Sequence, residues 1–457
     1  MAYQQFEKYY SAPISLTSQF YFCPVPLRLD TYSGCSHQCV YCFANHQNMK
    51  TMNVQDDEMK DKSQGVGIFP TKLEYVKEYF DVAFNGKENK YREQEALAVE
   101  CIKHRVPIHF GGMSDGLQPL EKEVGVTYEV LKLLKSYNYP IIFSTKGKLI
   151  LEDKYFNLLK DYEAFALQIS MIDDRSEILS ILEPNAMTAE ERLRAFKMYS
   201  DAGHWCGCRI QPMIIGLNDT QIIPLLDKLK ANGVKHVMVE GLKFFSGNNF
   251  ANKKIGEVFK KITGKEYDLA AYYKAIGSKN SGNDLELPTW RKYKYCKVFA
   301  EEIRKRGMTY GAADNDLRHL GDSPCCCGVE GLKGFENLLK KNTGFALFRA
   351  LELKKKGIKE FDKSIIENEY MPQGKFRIIL SKEKIAKKMG KKLADVTRED
   401  TNIPINELFD KAWKDGSKNS PCMYCCLKDM GCGKYAFKSE ELLEAELKDR
   451  GNQVTLF

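Results

Sequence analysis

Apolar residues in the first half of the chain come in short bunches, separated by longer stretches in which apolar and polar positions alternate with helical spacing. The bunches are Leu27–Tyr32, Val106–Phe110, Tyr139–Thr145, Phe165–Ser170, Cys208–Ile215 and Val234–Glu240. Each is short and rich in Val, Ile, Phe or Tyr, as a strand covered on both faces requires. Between them, Glu190–Ala202 carries Leu193, Phe196 and Tyr199 at every third position, a usable apolar stripe, and Gly203 follows as a C-cap. Asn218 and Asp219 read as the start of a helix over Gln221–Ala231, which Gly233 ends. Strand and helix alternate six times, which predicts an α/β fold. It is a parallel sheet with helices outside, curved into a partial barrel of six β/α units, with functional groups at the C-terminal strand ends. The first crossover, Ala44–His104, is long and holds a polar stretch, Asn53–Gly65, that reads as an exposed loop.

Beyond Glu240 the pattern changes. Ser246–Lys254 and Gly277–Asp284 are rich in Gly, Asn, Ser and Lys and read as loops. Trp290–Arg306 reads as a helix and Met308–Ala313 as a further strand. From about Gly331 the chain is lysine-rich without clear alternation. The expected organisation is a barrel core over 1–245, an extension over 246–330 ending in a cysteine-rich loop, and a basic C-terminal region over 331–457 with a second metal site.

Composition narrows the class. With 457 residues, 43% apolar and 28% charged, the chain has an ordinary globular balance, which excludes disorder or low complexity as the main theme. No apolar run approaches the roughly 18 residues that span a bilayer. The opening Met1–Lys8 shows no signal-peptide pattern, so a soluble cytoplasmic protein is expected. In a reducing compartment, 15 cysteines point to metal or cluster ligation rather than disulfides. Three lie at Cys35, Cys39 and Cys42, and seven at Cys325, Cys326, Cys327, Cys422, Cys425, Cys426 and Cys432. Cys23, Cys101, Cys206, Cys208 and Cys296 are scattered and read as small buried hydrophobes.

The segment Tyr32-Ser33-Gly34-Cys35-Ser36-His37-Gln38-Cys39-Val40-Tyr41-Cys42-Phe43 directly follows the first predicted strand. Three thiolates hold three irons of a [4Fe–4S] cluster and leave the fourth open to bind and activate a substrate. The alternative is zinc, with His37 or His46 as fourth ligand; the position at the head of six β/α units favours the cluster. This spacing resembles the signature of the radical S-adenosylmethionine (radical SAM) superfamily. The resemblance implies a fold of the radical SAM partial-barrel type. It also implies that S-adenosylmethionine chelates the open iron and that an electron from the cluster releases a 5′-deoxyadenosyl radical, which abstracts hydrogen from a substrate. A reductant such as flavodoxin or ferredoxin is implied as partner.

Further stretches, from about Leu27 to Glu240, resemble the spore-photoproduct-lyase-like or DNA repair photolyase-like branch. They are Ser114-Asp115, Thr145-Lys146, Ser170, Glu183-Pro184, Arg192-Leu193 and Pro212. The resemblance implies that Lys146 neutralises the S-adenosylmethionine carboxylate. Ser114, Asp115 and Ser170 would bond its amino group and ribose, and Tyr41 would lie against its adenine. Two departures stand out. The hydrogen-donating cysteine of the true lyase is replaced by Gly112, or by Met113 if the alignment slips, and a tyrosine by Phe43. Repair of spore photoproduct is therefore not expected, and Tyr41, Cys208 and Tyr310 are the candidate hydrogen donors.

The C-terminal cysteines suggest a second site. Cys422, Cys425 and Cys432, with one of Cys325, Cys326 and Cys327, suit an auxiliary iron–sulfur cluster or a structural zinc. Between Lys375 and Arg398, nine Lys/Arg face two acids, nearly the whole formal excess of +8. Such a patch binds phosphate backbones or forms a solvated helix face. Within it, Ser381–Val396 loosely resembles a helix-turn-helix core turning at Gly390, against an ordinary amphipathic helix. The aromatic, lysine-rich stretch Tyr272–Tyr295 offers rings for base stacking. The expected substrate is a nucleic acid, modified or repaired. The alternatives are a peptide or protein side chain served by an auxiliary cluster, and a non-enzymatic, metal-stapled nucleic-acid-binding protein.

Overall fold

The computed structural model describes residues 6, 8–17, 19–20, 22–44, 68–91, 93–245, 249–281, 284–371, 377–379, 382–404 and 427–450. His46, the polar stretch Asn53–Gly65, and Cys422, Cys425 and Cys426 lie outside the described residues.

The main sheet has eight strands: β1 (Ile14–Leu16), β2 (Leu27–Leu29), β3 (Ile108–Phe110), β4 (Ile141–Thr145), β5 (Phe165–Ser170), β6 (Trp205–Met213), β7 (His236–Gly241) and β8 (Thr309–Ala312). They lie in chain order across the sheet. β1 pairs antiparallel with β2, and every later pairing is parallel. All six expected strands are present: Phe165–Ser170 has its expected bounds, and the other five are shortened or shifted at their ends. The sheet is open, an α/β arc consistent with a partial barrel. The strand expected near Met308 becomes a seventh parallel member, so the sheet continues across the boundary expected at residue 245.

The helical expectations hold at Ala189–Asp201, Ile222–Ala231 and Thr289–Lys305. Thr188 and Glu191 form a reciprocal capping box on the first of these. Asn218 and Asp219 do not cap the next helix. Asn218 binds the backbone of Ile214, Ile172 and Pro212, and Asp219 accepts from the Gly216 N–H, so both brace the loop after β6. The two segments read as loops also differ. Asn249–Thr263 is a helix that takes in much of Ser246–Lys254, and Lys279–Ser281 pairs with Asp284–Glu286 as a hairpin. An apolar stripe beyond the polar opening residues forms the helix: Ile255 and Val258 are fully covered.

The sheet buries its two faces differently. Phe143, Leu167, Ile169, Cys206, Cys208, Val237 and Tyr310 join the core formed with the surrounding helices. On the opposite, concave face, Ile142 and Ala166 pack against Val25, Cys325, Cys327, Val329, Phe335, Leu338 and Phe345. The triple-cysteine loop and the chain after it therefore fill the lower part of the barrel interior. Gly311 makes this possible, because a Cβ there would lie 2.1 Å from the Cys326 carbonyl oxygen. His236 fixes the loop, its Nε2 bonding the same carbonyl at 2.8 Å.

In the basic region, Lys382–Met389 is a helix that turns at Gly390. A 3-10 turn, Leu393–Asp395, and a four-residue helix, Arg398–Thr401, follow. Among the described residues no recognition helix follows the turn, so the helix-turn-helix expectation is corrected to a short amphipathic helix. Its apolar contacts are Ile385 and Val396 with Ala386, while Met389 and Leu393 are exposed. The rings of Tyr272–Tyr295 are also not a free platform. Tyr273 and Tyr293 are buried, and Tyr272, Trp290 and Tyr295 pack against the core. Among the described residues, no helix is long and apolar enough to cross a membrane.

Candidate active site

Side chains from four successive strand ends meet around the cysteine loop. Asp30, just after β2, is buried and its Oδ1 accepts from the backbone N–H groups of Met113 and Ser114, at 2.8 and 2.9 Å. This pins the loop after β3 to the loop after β2. Burial pushes the Asp30 carboxyl up to about 6, against the pull of those N–H groups and of Arg28.

The cysteine loop is held in shape by polar side chains outside it. Gln118 accepts from the Ser36 N–H at 2.7 Å and donates to the Gly34 carbonyl at 2.9 Å. Asn185 donates to the Ser36 carbonyl at 3.0 Å. His37 is buried, with Nδ1 2.9 Å from the Asn185 carbonyl and Nε2 3.1 Å from Asp115 Oδ2. With both ring nitrogens so engaged, His37 is not free as a zinc ligand.

Asp115 also differs from expectation. Besides His37, it accepts from the Leu117 N–H, the Thr145 hydroxyl at 2.8 Å and the Lys146 N–H at 2.6 Å. Burial works to raise its carboxyl, but His37 and these donors outweigh it and hold it below the usual carboxylate range. Its oxygens are thus used as a clasp between the cysteine loop and the end of β4, instead of being offered to a ligand.

A second clasp uses the Glu-Pro and Arg-Leu pairs. Glu183 and Arg192 form an ion pair with both side chains fully buried. Tyr41 donates its hydroxyl to Glu183, and Arg192 donates to the carbonyls of Ser170 and Met187, both at 2.9 Å. The Ser170 backbone is thereby tied through two side chains to the cysteine loop. Sequence reading marked these residues as a motif without giving them work; Gln118 and Asn185 carried no sequence signal.

The remaining groups stay available. The Lys146 ammonium stands 5.8 Å from the centroid of the Tyr41 ring and acts electrostatically on Cys39. Ser114 Oγ and Ser36 Oγ are buried with no hydrogen-bond partner among the described residues. Burial raises the Cys35 thiol well above the usual range, with Asp115, Cys39 and Cys42 adding to it. Cys39 is pushed up to about 12, again mainly by burial, with Lys146 opposing. A positive cluster offsets this burial cost, since thiolates are its ligands. Among the described residues, no three His, Cys, Asp or Glu side chains gather as a site for a single metal ion. A cluster asks for something else, one thiolate on each of three irons, and the donor set Cys35, Cys39 and Cys42 suits that chemistry.

Two candidate hydrogen donors are excluded by the face they occupy. Cys208 lies under the helices, 4.0 Å from the Met171 carbonyl, with its thiol pushed up to about 12 by burial. Tyr310 is on the same side, against Cys296 of Thr289–Lys305. Neither reaches the concave face. Tyr41 is beside the cysteine loop, but its hydroxyl is given to Glu183.

Of the second cysteine set, Cys325, Cys326, Cys327 and Cys432 are among the described residues. Cys432 is exposed in the turn between Leu427–Asp429 and Lys434–Phe437. Cys325, Cys326 and Cys327 act electrostatically on one another, with Arg318, Arg209 and Glu240 around Cys326. Cys23, read as scattered, lies instead within reach of Cys325 and Cys326.

Residues 29–229 match the sequence profile of the Radical SAM superfamily. No curated protein matches the sequence. Among solved structures, the chain is similar to a spore photoproduct lyase mutant with bound AdoMet and dinucleoside spore photoproduct. The identity is 13% over 62% of this chain and 75% of that one, with a TM-score of 0.42. It is also similar to spore photoproduct lyase complexed with the dinucleoside alone, at 14% identity over 67% and 79% with a TM-score of 0.41. A third is the radical S-adenosylmethionine methyltransferase TsrM from Kitasatospora setae, at 11% identity over 72% and 62% with a TM-score of 0.38. The superfamily implies a [4Fe–4S] cluster, S-adenosylmethionine and an external reductant. Residues 29–229, with their three-cysteine loop at the C-terminal end of the sheet, are thus a Radical SAM domain, and it is this domain that makes the chain an enzyme.

Proposed function

We propose that the enzyme acts on a nucleic acid, in a modification or repair reaction of the spore-photoproduct-lyase-like branch. Cys35, Cys39 and Cys42 hold the cluster, and flavodoxin or ferredoxin supplies the electron. When bound, the cluster and S-adenosylmethionine supply a carbon radical that takes hydrogen from the substrate. The chain's own residues position that chemistry. Lys146 neutralises the cofactor carboxylate, and Ser114 and Ser170 bond its polar groups. Asp115, His37, Glu183 and Arg192 keep the loop and the strand ends in register. The observation that carries this arrangement is Ser114 Oγ, a buried hydroxyl without a partner among the described residues, beside the cysteine loop.

The nucleic-acid part draws on the motif residues Ser114-Asp115, Thr145-Lys146, Glu183-Pro184 and Arg192-Leu193, and on the lysine-rich segment, where Lys387 and Lys392 are exposed. A peptide or protein substrate is favoured by one observation, the nearness of Cys23 to Cys325 and Cys326, thiols of the kind an auxiliary cluster needs.

The test is anaerobic reconstitution with dithionite and S-adenosylmethionine, measuring 5′-deoxyadenosine. Release is expected, rising with DNA or RNA and abolished when Cys35, Cys39 and Cys42 are all alanine. Turnover unchanged in the triple variant removes the assignment. Stimulation by peptides and by no nucleic acid selects the second reading.

A further inference from the structure

The upper part of the concave face, above the cysteine-loop filling, is polar. Arg28 of β2, His109 of β3, Ser144 of β4, Gln168 of β5 and Arg209 and Gln211 of β6 belong to it, and all but Ser144 and Gln168 are half-buried. His109 Nε2 lies 2.7 Å from Ser144 Oγ and 3.3 Å from Arg209 Nη1. Arg209 also donates to Gln168 Oε1 at 3.0 Å and to Gln211 Oε1 at 2.5 Å. Arg28 is the cross-strand neighbour of His109 and, among the described residues, bonds the Met113 thioether at 3.4 Å.

Among the described residues, both guanidinium groups hydrogen-bond neutral acceptors, with the Asp30 carboxyl near Arg28 and the Cys326 thiol near Arg209 as electrostatic neighbours. Among the described residues, neither forms an ion pair with a carboxylate. Glu240 is taken by Gln211 and by Lys243 at 3.2 Å, and Asp30 by backbone N–H groups. The two cations are near enough to repel each other electrostatically. Gln168 is fully buried, and its Nε2 has no partner among the described residues. Two half-buried cations side by side, with a spare amide donor between them, are costly unless an anion completes the set.

We propose that Arg28 and Arg209, with Gln168 Nε2, form a subsite for a phosphodiester of the substrate. The two diverging free oxygens of a phosphodiester accept one fork each, with the amide as a further donor. Arg28 reaches this position because residue 112 is glycine: a Cβ there would sit 3.2 Å from Arg28 Cδ. The subsite lies beside Asp30 and Ser114, at the strand ends that carry the cysteine loop. The assignment rests on the nucleic-acid reading and deepens it.

The test uses the reconstituted full chain and two probes, the dinucleotide TpT and its uncharged methylphosphonate analogue, with binding measured by equilibrium dialysis. The wild-type enzyme is expected to prefer TpT by about tenfold or more, the scale of charge-assisted hydrogen bonds. Arg28→Gln and Arg209→Gln are each expected to erase most of that preference. Changing the ligand leaves the protein intact, so poor folding of a variant does not confuse the result. Equal binding of both probes by the wild-type enzyme, with DNA still stimulating 5′-deoxyadenosine release, overturns the subsite and leaves the nucleic-acid reading standing. A preference that survives in both variants overturns it as well. If no nucleic acid stimulates turnover, the reading fails, and inorganic pyrophosphate becomes the probe. Binding lost in both arginine variants then still supports an oxyanion site of phosphate type, and no binding overturns it.

Discussion

Ser114 and Glu183 illustrate two ways in which one residue serves the site. Ser114 Oγ is buried without a partner among the described residues, so its hydroxyl does little for the fold. Ser114→Ala is expected to leave stability within about 0.5 kcal/mol. It should weaken S-adenosylmethionine binding by about 0.5–1.5 kcal/mol, the net worth of a neutral hydrogen bond. Denaturant unfolding and equilibrium dialysis check the two halves, and unchanged cofactor affinity removes Ser114 from the site. Glu183 is the opposite case. Its removal leaves Arg192 as an uncompensated buried charge, so Glu183→Ala is expected to cost about 3–5 kcal/mol. The double change Glu183→Leu with Arg192→Met should cost clearly less, since no orphan charge remains. Equal losses in urea unfolding would mean that the pair is not the reason.

At the scale of elements, the filling of the barrel depends on β7 and β8. His236 is buried against the Cys326 carbonyl, with Nδ1 2.8 Å from the Thr309 hydroxyl. Burial lowers its pKa from 6.5 to about 4. Between those values the unfolded chain binds a proton that the folded chain refuses, so stability is full above pH 6.5 and is lost as pH falls towards 4. For this residue the loss is on the order of 3 kcal/mol. His109 is depressed in the same direction, also mainly by burial, so the comparison with His236→Gln isolates one residue. The variant is expected to show a shallower fall of the urea midpoint between pH 6.5 and 4; parallel curves would discard the assignment. Gly311→Ala tests the same contact by size. With the Cys326 oxygen 2.1 Å from the new Cβ, the loop must shift, at a cost of about 1–3 kcal/mol.

At the scale of the whole molecule, charge is unevenly placed. Lysines of Lys382–Asp395 stand on a short helix and the turn after it, with a small apolar contact of their own. Nucleic-acid binding that uses them releases counterions and weakens steeply with salt. Neutralising Lys387, Lys388, Lys391 and Lys392 is expected to lower the salt slope by up to about one unit per lost contact. Lys391 already faces Asp400 at 3.0 Å, so it should contribute less than the exposed Lys387 and Lys392. A slope identical to wild type in a titration at several salt concentrations would assign the segment to solvation alone.

The local code was enough for the parallel strands and the cysteine loop. A strand covered on both faces must be continuously apolar, and a helix packed on it must carry a stripe, so β2 to β7 and Ala189–Asp201 were legible. The spacing of Cys35, Cys39 and Cys42 was legible because cluster ligands from one loop are constrained by the chain itself. Contacts between distant segments were not. Nothing near Cys23 signals that it meets Cys325 and Cys326, and nothing near Cys208 or Tyr310 tells which face of the sheet they occupy. Asp115 read as a ligand-facing acid because its partners His37, Thr145 and Lys146 come from two other loops. Arg28 and Arg209 likewise lie on strands far apart in sequence. Periodicity and spacing report what a segment must do by itself. The facing of one segment against another, which makes clasps, fillings and charge pairs, exists only once the sheet has closed its arc.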